Sequence, residues 1–196
     1  MSYFFISDLH LSPRAPGAAD IFRRLLEDIA QADNHLYILG DLFEAWVGDD
    51  DDDPFYQEII ALLDRARRRG LAVFLLHGNR DFLLGAQFSA RAGVTLLPDP
   101  YALSTPARQF VLSHGDALCA DDAEYQAFRA QTRAPGWQAG FLQKPLAERR
   151  AFAEQLRAQS ETAKNAKSAA LMDVNPQAVT DFLRQHGYAT LIHGHT

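Results

Sequence analysis

The chain has 196 residues, 47% of them hydrophobic, and a formal net charge of −6 at pH 7. This length suits one domain with an insertion, and the apolar content excludes a disordered chain. The acidic balance argues against broad binding of nucleic acid, and the single cysteine, Cys119, excludes an internal disulfide or a cysteine-based zinc site. The apolar runs are shorter than the ~18 residues of a membrane span, and the start, MSYFFISDLH, lacks the basic region of a signal peptide. We therefore expect a cytosolic enzyme.

Short apolar runs predict buried strands, and helical patterns lie between them. Strands are expected at Tyr3–Ile6, Leu36–Leu39, Val73–Leu76, Phe110–Leu112 and Leu191–Ile192. Helices are expected over 21–29, from Pro54 to Gly70, from Asp81 to Ala92 with Gly93 as the stop, and from Asn175-Pro176 to Gly187. Strands alternating with helices predict an α/β fold, a layered sheet core flanked by helices.

Residues 121–172 break this alternation. The stretches AEYQAFRAQTR and PLAERRAFAEQLRAQSETAKNAKSAALM are helical in pattern with no obvious strand between them, and this segment holds all three lysines of the chain. We expect a helical insertion, or lid, over a core formed by 1–120 and 173–196; one more pair of surface helices is the alternative. The acidic run Asp49–Asp53 is interpreted as a solvated loop, because five adjacent carboxylates would repel one another in a compact site.

Polar side chains follow each of the five predicted strands. In chain order they are Ser7-Asp8-Leu9-His10, Gly40-Asp41, His77-Gly78-Asn79-Arg80-Asp81, Ser113-His114-Gly115-Asp116 and His193-Gly194-His195. Because ligands of α/β sheets bind outside the carboxyl ends of the strands, we expect these groups to converge. Each segment alone could be a turn, a helix cap or a satisfied polar residue, but five in succession are not plausibly independent accidents.

The donor set favours a metal centre. Asp, His and Asn side chains without cysteine suit Mn²⁺, Fe²⁺ or Zn²⁺ better than a thiolate zinc site or an all-oxygen calcium site. Six or seven ligands exceed the need of one tetrahedral ion. Two ions roughly 3.5–4 Å apart, sharing one carboxylate and a hydroxide, would use them all.

The order Asp8-x-His10, Gly40-Asp41, Gly78-Asn79, His114 and Gly194-His195 resembles the calcineurin-like metallophosphoesterases. The strings SDLHL, YILGDLFEAWVGDD, HGNRDFLLG, SHGDALCADDAEYQAFR, KSAALMDVNPQAV and LIHGHT are similar to one branch of them, the UDP-2,3-diacylglucosamine diphosphatases of lipid A biosynthesis in Gram-negative bacteria. This resemblance runs along essentially the whole chain, and its strings are long and specific.

The resemblance implies a centre of two Mn²⁺ ions, with Fe²⁺ or Zn²⁺ as possible replacements. The first ion would take Asp8, His10 and Asp41, and the second would take Asp41, Asn79, His114 and His195, so that Asp41 bridges. The implied substrate contacts are Asn79, Arg80, Asp122, Ser160, Lys164, Lys167 and His195, although Asn is common at position 164 in that family. Asp41, Arg80 and His114 are the catalytic assignments. His193 matches no ligand position and is interpreted as a supporting residue.

Arg80 stands where the wider superfamily has a histidine able to donate a proton. A guanidinium group, with a pKa above ~12, is no general acid but holds phosphate oxygens in a bidentate manner. Such a site favours a leaving group that departs as an anion, as a phosphate monoester does. Cleavage of a pyrophosphate bond is therefore favoured over that of an ordinary phosphodiester. The family reaction agrees: a hydroxide shared by both ions attacks the phosphorus nearer uridine, giving UMP and 2,3-diacylglucosamine 1-phosphate.

The predicted insertion has features expected of a lipid-binding lid. Apolar residues offer a wall for acyl chains: Phe128, Trp137, Phe141, Leu142, Leu146, Phe152, Leu156 and Leu171. Arginines make the segment basic: Arg129, Arg133, Arg149, Arg150 and Arg157. A basic segment suits docking on an anionic membrane surface, so we expect peripheral attachment to the cytoplasmic face of the inner membrane, with no protein partner.

Two alternatives stay open: another phosphoesterase of this superfamily, such as a dinucleoside polyphosphate hydrolase, and a scaffold of the same fold without activity. The family motif continues Gly-His-x-His, whereas this sequence stops at Thr196, one residue before the last expected ligand of the first ion. We expect a longer native chain, with an intact mass above 21.8 kDa.

Overall fold

The computed structural model describes residues 1–166, 173–187 and 189–196, and within 161–166 it describes the backbone alone. The strands are β1 (Ser2–Ile6), β2 (Asn34–Ile38), β3 (Ala72–Leu76), β4 (Val94–Leu97), β5 (Tyr101–Ser104), β6 (Gln109–Ser113) and β7 (Thr190–His193). The helices are α1 (Pro16–Ile29), α2 (Pro54–Arg68), α3 (Ala86–Ala92), α4 (Ala123–Arg133), α5 (Pro135–Leu142), α6 (Leu146–Ala166) and α7 (Pro176–Gln185). All five predicted strands and the α/β class are confirmed.

The strands form two sheets. The first is parallel, in the order β1-β2-β3-β4; in the second, β6 lies between an antiparallel β5 and a parallel β7. β1, β2 and β3 therefore end at one edge of the first sheet, and β6 and β7 end together in the second. The five predicted polar segments follow these five strand ends.

The two sheets pack on each other, and helices cover the other face of the first sheet. Along β2, Leu36 and Ile38 belong to the cluster shared with α1 and α2, whereas Tyr37 packs with Leu103 and Leu112 of the second sheet. This alternation follows from the period of two along a strand. Both apolar faces of the first sheet are thus covered, which explains why its strands are continuous apolar runs.

The third helix is shorter than predicted. It begins at Ala86 rather than Asp81, and it ends at Gly93 with the left-handed conformation expected of a stop (φ 66°). The carboxylate of Asp81 accepts hydrogen bonds from the backbone N–H groups of Leu42 and Gly78, both at 2.8 Å. Asp81 therefore joins the loops that follow β2 and β3 instead of beginning a helix.

The acidic run 49–53 is not the solvated loop that its charge predicted. Asp49 accepts hydrogen bonds from the N–H groups of Gly85, Gln87 and Phe88 at 2.9–3.0 Å, which caps α3. The carboxylate of Asp53 accepts from the N–H of Phe55 and caps α2. Asp50 pairs with Arg149, and Asp51 and Asp52 pair with Arg150. These hydrogen bonds and ion pairs offset the repulsion between neighbouring carboxylates, which was the sole basis of the prediction.

The insertion helices, which we define as α4, α5 and α6, follow one another without a strand between them. Their arginines pair within the protein: Arg129 with Asp116, Arg133 with Asp116 and the carbonyl of Gly78, Arg149 with Asp50, Arg150 with Asp51, and Arg157 with Glu44. These ion pairs offset part of the positive charge of the segment, and docking on an anionic membrane surface stays a prediction. Among the described helices, each is too short or too polar to cross a bilayer.

Candidate metal centre

Four candidate ligands have a strained backbone. Their φ angles are positive, at 54° for Asp8, 49° for His10, 52° for Asp41 and 73° for His195. Non-glycine residues adopt this region rarely, and such strain concentrates at functional sites. Backbone hydrogen bonds hold two of these turns together, from the N–H of Asp8 to Gly40 O at 3.2 Å and from that of His10 to Asp41 O at 3.0 Å.

The first group of candidate ligands comprises Asp8, His10 and Asp41, whose donor atoms lie within 4.8 Å of one another. Nε2 of His10 is 3.9 Å from Oδ1 of Asp8 and 3.8 Å from Oδ2 of Asp41. These spacings leave room for one cation between the three side chains. These are the three residues that the resemblance assigned to the first ion.

A second group comprises Asp8, His114 and His195, again within 4.8 Å. Nε2 of His114 lies 3.0 Å from Oδ1 of Asn79 and 3.8 Å from Oδ1 of Asp41. The two groups share Asp8, and Asp41 lies at equal distance from one histidine of each. Both carboxylates are therefore positioned between the two halves of the site.

The orientation of the His114 ring is the one expected of a residue that coordinates a metal ion. Its Nδ1 lies 2.8 Å from the carbonyl oxygen of Leu39. Because a carbonyl can only accept, Nδ1 carries the proton, and the lone pair of Nε2 in the neutral ring faces Oδ1 of Asn79, another acceptor. A single cation that binds both atoms as neighbouring ligands would satisfy the two lone pairs, so the donor set fits a metal ion.

The electrostatics of Asp41 lead to the same conclusion. Its side chain is 2% exposed, and burial together with the charge of Asp81 raises the pKa of Asp41 to about 7. A negative charge is thus unfavourable there unless a cation lies beside it.

Two glycines allow this close packing. A Cβ on Gly78 would overlap the carboxylate and the backbone nitrogen of Asp41, and a Cβ on Gly194 would lie 2.5 Å from Oδ2 of Asp8. The N–H of His195, next to Gly194, donates to the same oxygen of Asp8 at 2.8 Å. His193 lies in β7 with Nδ1 2.9 Å from Gly194 O, so its ring is engaged with the backbone.

A cavity of about 410 Å³ opens over Asp8, His10, Asp41, Asn79 and His195, and Arg80, Asp122 and Ser160 also line it. We call it the polar cavity because most of its lining residues are charged or polar. Asp122 is nearly buried and accepts a hydrogen bond from the N–H of Tyr125 at 3.1 Å, capping α4. Two predicted substrate contacts cannot be located: the side chain of Lys164 and all of Lys167 lie outside the described residues.

A smaller, largely apolar cavity of about 130 Å³ adjoins the polar one. Its apolar lining includes Trp46, Phe82, Phe128, Trp137, Phe141, Phe152 and Leu156. The two cavities share lining residues: Asn79, Arg80, Tyr125, Phe128, Leu156 and Ser160. Of the predicted apolar wall, Leu142 is 42% exposed, and Leu171 lies outside the described residues.

The model of the calcineurin-like phosphoesterase family matches residues 1–196. The chain belongs to this family. Members of the family bind a dinuclear metal centre, and the predicted metal-dependent phosphoesterase is thereby confirmed at the level of the family.

Curated relatives of this phosphoesterase carry a more specific name. Proteins named UDP-2,3-diacylglucosamine hydrolase from Aromatoleum aromaticum, Cellvibrio japonicus and Escherichia coli are 50%, 47% and 45% identical to it. Each match covers the whole chain and 80%, 82% and 82% of the respective relative. The resemblance read from the sequence is confirmed by these relatives.

Three further residues contact the candidate ligands or their neighbours, and the sequence pattern gives none of them a role, although Asp116 belongs to one of the five polar segments. Glu44 lies 3.1 Å from His10, the ring of Tyr125 stacks on that of His195 at 5.8 Å, and Asp116 accepts from the hydroxyl of Tyr125 at 2.9 Å. All three occur inside the quoted strings, but no spacing rule distinguishes them from ordinary surface residues.

Proposed function

We propose that this phosphoesterase hydrolyses the pyrophosphate bond of UDP-2,3-diacylglucosamine to UMP and 2,3-diacylglucosamine 1-phosphate. The observation that carries the proposal is the shared wall of the two cavities. Five of the six candidate ligands line one cavity, and the lining of the other is largely apolar. A substrate with a diphosphate at one end and acyl chains at the other matches this pair, and it is the compound in the names of the relatives.

Two cations would be held by the six predicted ligands. The first would bind Asp8, His10 and Asp41, and the second Asp41, Asn79, His114 and His195; the contacts of Asp41 with both His10 and His114 support a bridging role. When bound, such ions supply Lewis acidity and lower the pKa of water. We propose Mn²⁺ because carboxylate, amide and imidazole donors suit it.

Arg80 would hold the phosphoryl oxygens, supported by its place in the wall between the cavities. Its guanidinium group stays charged, so it can neutralise developing charge but cannot protonate a leaving group. The departing sugar phosphate needs no proton, because its second pKa is near ~6. This chemistry favours the acylated diphosphate over substrates whose leaving group is an alkoxide.

The test is UMP release from UDP-2,3-diacylglucosamine with added Mn²⁺. UDP-glucosamine without acyl chains serves as the matched substrate, and a dinucleoside polyphosphate represents the alternative enzyme. We expect kcat/KM at least about 100-fold higher for the acylated compound, because burying even part of two acyl chains contributes several kcal/mol. Preference for the dinucleoside polyphosphate would favour the alternative, and inactivity on all three would favour a scaffold.

We also propose that the protein works at the surface of the cytoplasmic face of the inner membrane, where a diacylated substrate resides. The exposed side chain of Leu142 in the insertion helices supports contact with lipid. Flotation with vesicles of anionic and of neutral lipid tests this localisation. Because the five arginines are paired, we expect weak binding with little dependence on anionic lipid.

A further inference from the structure

Glu44 contacts three residues that come from different parts of the site. Its Oε2 lies 3.1 Å from Nδ1 of His10, and its Oε1 lies 3.1 Å from Nε of Arg157 and 3.6 Å from a terminal nitrogen of Arg80. One carboxylate oxygen thus faces a candidate metal ligand, and the other faces two guanidinium groups. The side chain is 17% exposed, and charge interactions are stronger in such a setting than in bulk water.

The backbone of Glu44 is fixed to the segment that carries His10. Leu11 donates its N–H to Leu42 O at 2.9 Å, and Glu44 donates its N–H to Leu11 O at 3.1 Å. Leu11 and Phe43 form a parallel bridge, and both side chains are fully buried. Because the two segments are joined on both sides of the bridge, the carboxylate of Glu44 and the imidazole of His10 are held next to each other.

We propose that Glu44 is a positioning residue, which orients His10 for a cation and links that half of the site to α6 through Arg157. The proposal rests on the proposed function, since it takes His10 as a ligand. In this structure the two groups are at ion-pair distance without a formed hydrogen bond. A cation on Nε2 of His10 would leave the ring proton on Nδ1, where it faces the carboxylate of Glu44, an acceptor. A carboxylate that orients a ligating histidine in this way also makes the imidazole a better donor.

The contact with Arg157 extends this role to the insertion helices. Arg157 and Ser160 are three residues apart on α6, so they lie on one face of the helix, and Ser160 lines the polar cavity. Arg80 shares Oε1 of Glu44 with Arg157. A phosphate that draws Arg80 away would therefore leave Glu44 paired with Arg157, and α6 would stay attached to the site.

The test compares Glu44→Gln with Glu154→Gln. Glu154 is a matched control because it lines a cavity together with Glu44 and also pairs with an arginine, Arg14, at 2.7 Å. Arg14 is not a candidate ligand. We expect Glu44→Gln to weaken one of two bound Mn²⁺ ions about 10- to 100-fold, measured by competition with a chelator, and Glu154→Gln to leave both unchanged. Arg157→Gln should raise KM for the acylated substrate while changing Mn²⁺ affinity less than about threefold.

The outcomes separate the two proposals. If wild-type protein binds no Mn²⁺, the proposed function fails. If wild type binds two ions and Glu44→Gln binds both as tightly, the positioning role of Glu44 is overturned. Should Glu44→Gln fail to fold by circular dichroism, Glu44→Asp keeps the charge with a shorter reach, and unchanged affinity in that variant overturns the proposal. An unchanged KM in Arg157→Gln overturns the link to α6.

Discussion

At the scale of single residues, Asp41 is placed to influence both halves of the site. Its two carboxylate oxygens lie 3.8 Å from Nε2 of His10 and 3.8 Å from Nε2 of His114. One of these oxygens also accepts the backbone N–H of Arg80 at 2.8 Å, which orders the carboxylate. The amide oxygen of Asn79, by contrast, is uncharged and lies 3.0 Å from Nε2 of His114. Loss of the Asp41 charge should therefore cost more than loss of the Asn79 amide.

We predict that Asp41→Asn lowers kcat/KM by more than about 100-fold and that Asn79→Ala lowers it by about 10-fold. The first variant removes a charge next to both histidines, whereas the second removes one neutral donor. Activity and bound metal per chain are measured on the same samples. Small and equal losses in the two variants, with metal content unchanged, would contradict the bridging role of Asp41.

We predict that Gly78→Ala inactivates the enzyme. The new methyl group would overlap the carboxylate and the backbone nitrogen of Asp41, so the loop must move and the site with it. Overpacking of this kind costs about 1–3 kcal/mol of stability. Gly136→Ala in α5 is the matched control, since nothing lies within 4 Å of a Cβ there, and it should keep full activity. An active Gly78→Ala would mean that this loop tolerates displacement.

The candidate ligands could be predicted from the sequence because each follows an apolar run, and strand ends meet in space. Glu44 could not, because its role depends on a side-chain contact with His10 across the bridge between Leu11 and Phe43. The role of Tyr125 likewise depends on stacking against His195, which no spacing along the chain reveals.

At the scale of elements, α4 is attached to the loops that carry two candidate ligands, His114 and Asn79. Asp116, two residues after His114, is fully buried and accepts from Nε of Arg129 at 2.8 Å and from the hydroxyl of Tyr125. Burial would raise the pKa of Asp116, but Arg129 and other positive groups outweigh it, so the pKa is lowered and the carboxylate is ionised. Arg133 donates to the carbonyl of Gly78, next to Asn79, at 2.9 Å.

We predict that Asp116→Asn lowers the free energy of unfolding by about 3 kcal/mol, because it leaves the partly buried Arg129 without its carboxylate. Urea unfolding at pH 7 measures this loss. Asp64→Asn is the control: Asp64 pairs with Arg67 and Arg68 on the exposed side of α2, and its loss should be clearly smaller. Equal losses in the two variants would mean that burial adds nothing to the Asp116 pair.

Element boundaries were predicted less well than element types. β4 and β5 were not predicted, because they follow α3 and lead to β6 without the alternation of helices and strands on which the prediction relied. The start of α3 was placed too early because Asp81 has the composition of a cap but uses its carboxylate across the fold. The prediction for the acidic run was wrong for the same reason, because the partners of Asp49 and Asp51, Gly85 and Arg150, lie far away along the chain.

At the scale of the whole molecule, the insertion helices contribute residues to the linings of both cavities. Phe128 lines both cavities, whereas Phe141 is 6% exposed and stacks on Trp137 with ring centroids 5.0 Å apart. Phe141 thus belongs to the packed core that joins α5 to the sheet domain. The two phenylalanines should respond differently to the same substitution.

We predict that Phe128→Asp lowers kcat/KM for the acylated substrate by about 100-fold, because a charge in the shared wall disfavours acyl chains. It should preserve hydrolysis of a small chromogenic phosphodiester. Phe141→Asp should reduce both activities and the melting temperature, since it places a charge in the core. If Phe128→Asp reduces both activities equally while remaining folded, the shared wall does not bind the acyl chains.

Metal binding and folding are linked, because an ion that binds only the folded protein raises its free energy of unfolding. The apolar clusters on both faces of the first sheet contain none of the six candidate ligands, and backbone hydrogen bonds hold the turns at Asp8 and His10. We therefore expect protein treated with a chelator to keep its circular dichroism spectrum and to unfold cooperatively. Restoring Mn²⁺ at 100 times its Kd should then add about 2.7 kcal/mol per bound ion to the free energy of unfolding, or about 5 kcal/mol for two ions. Asp41→Asn should gain much less from the same addition. An equal gain in that variant would place the stabilising ions elsewhere, and unfolding by the chelator alone would mean that the metal centre is part of the core.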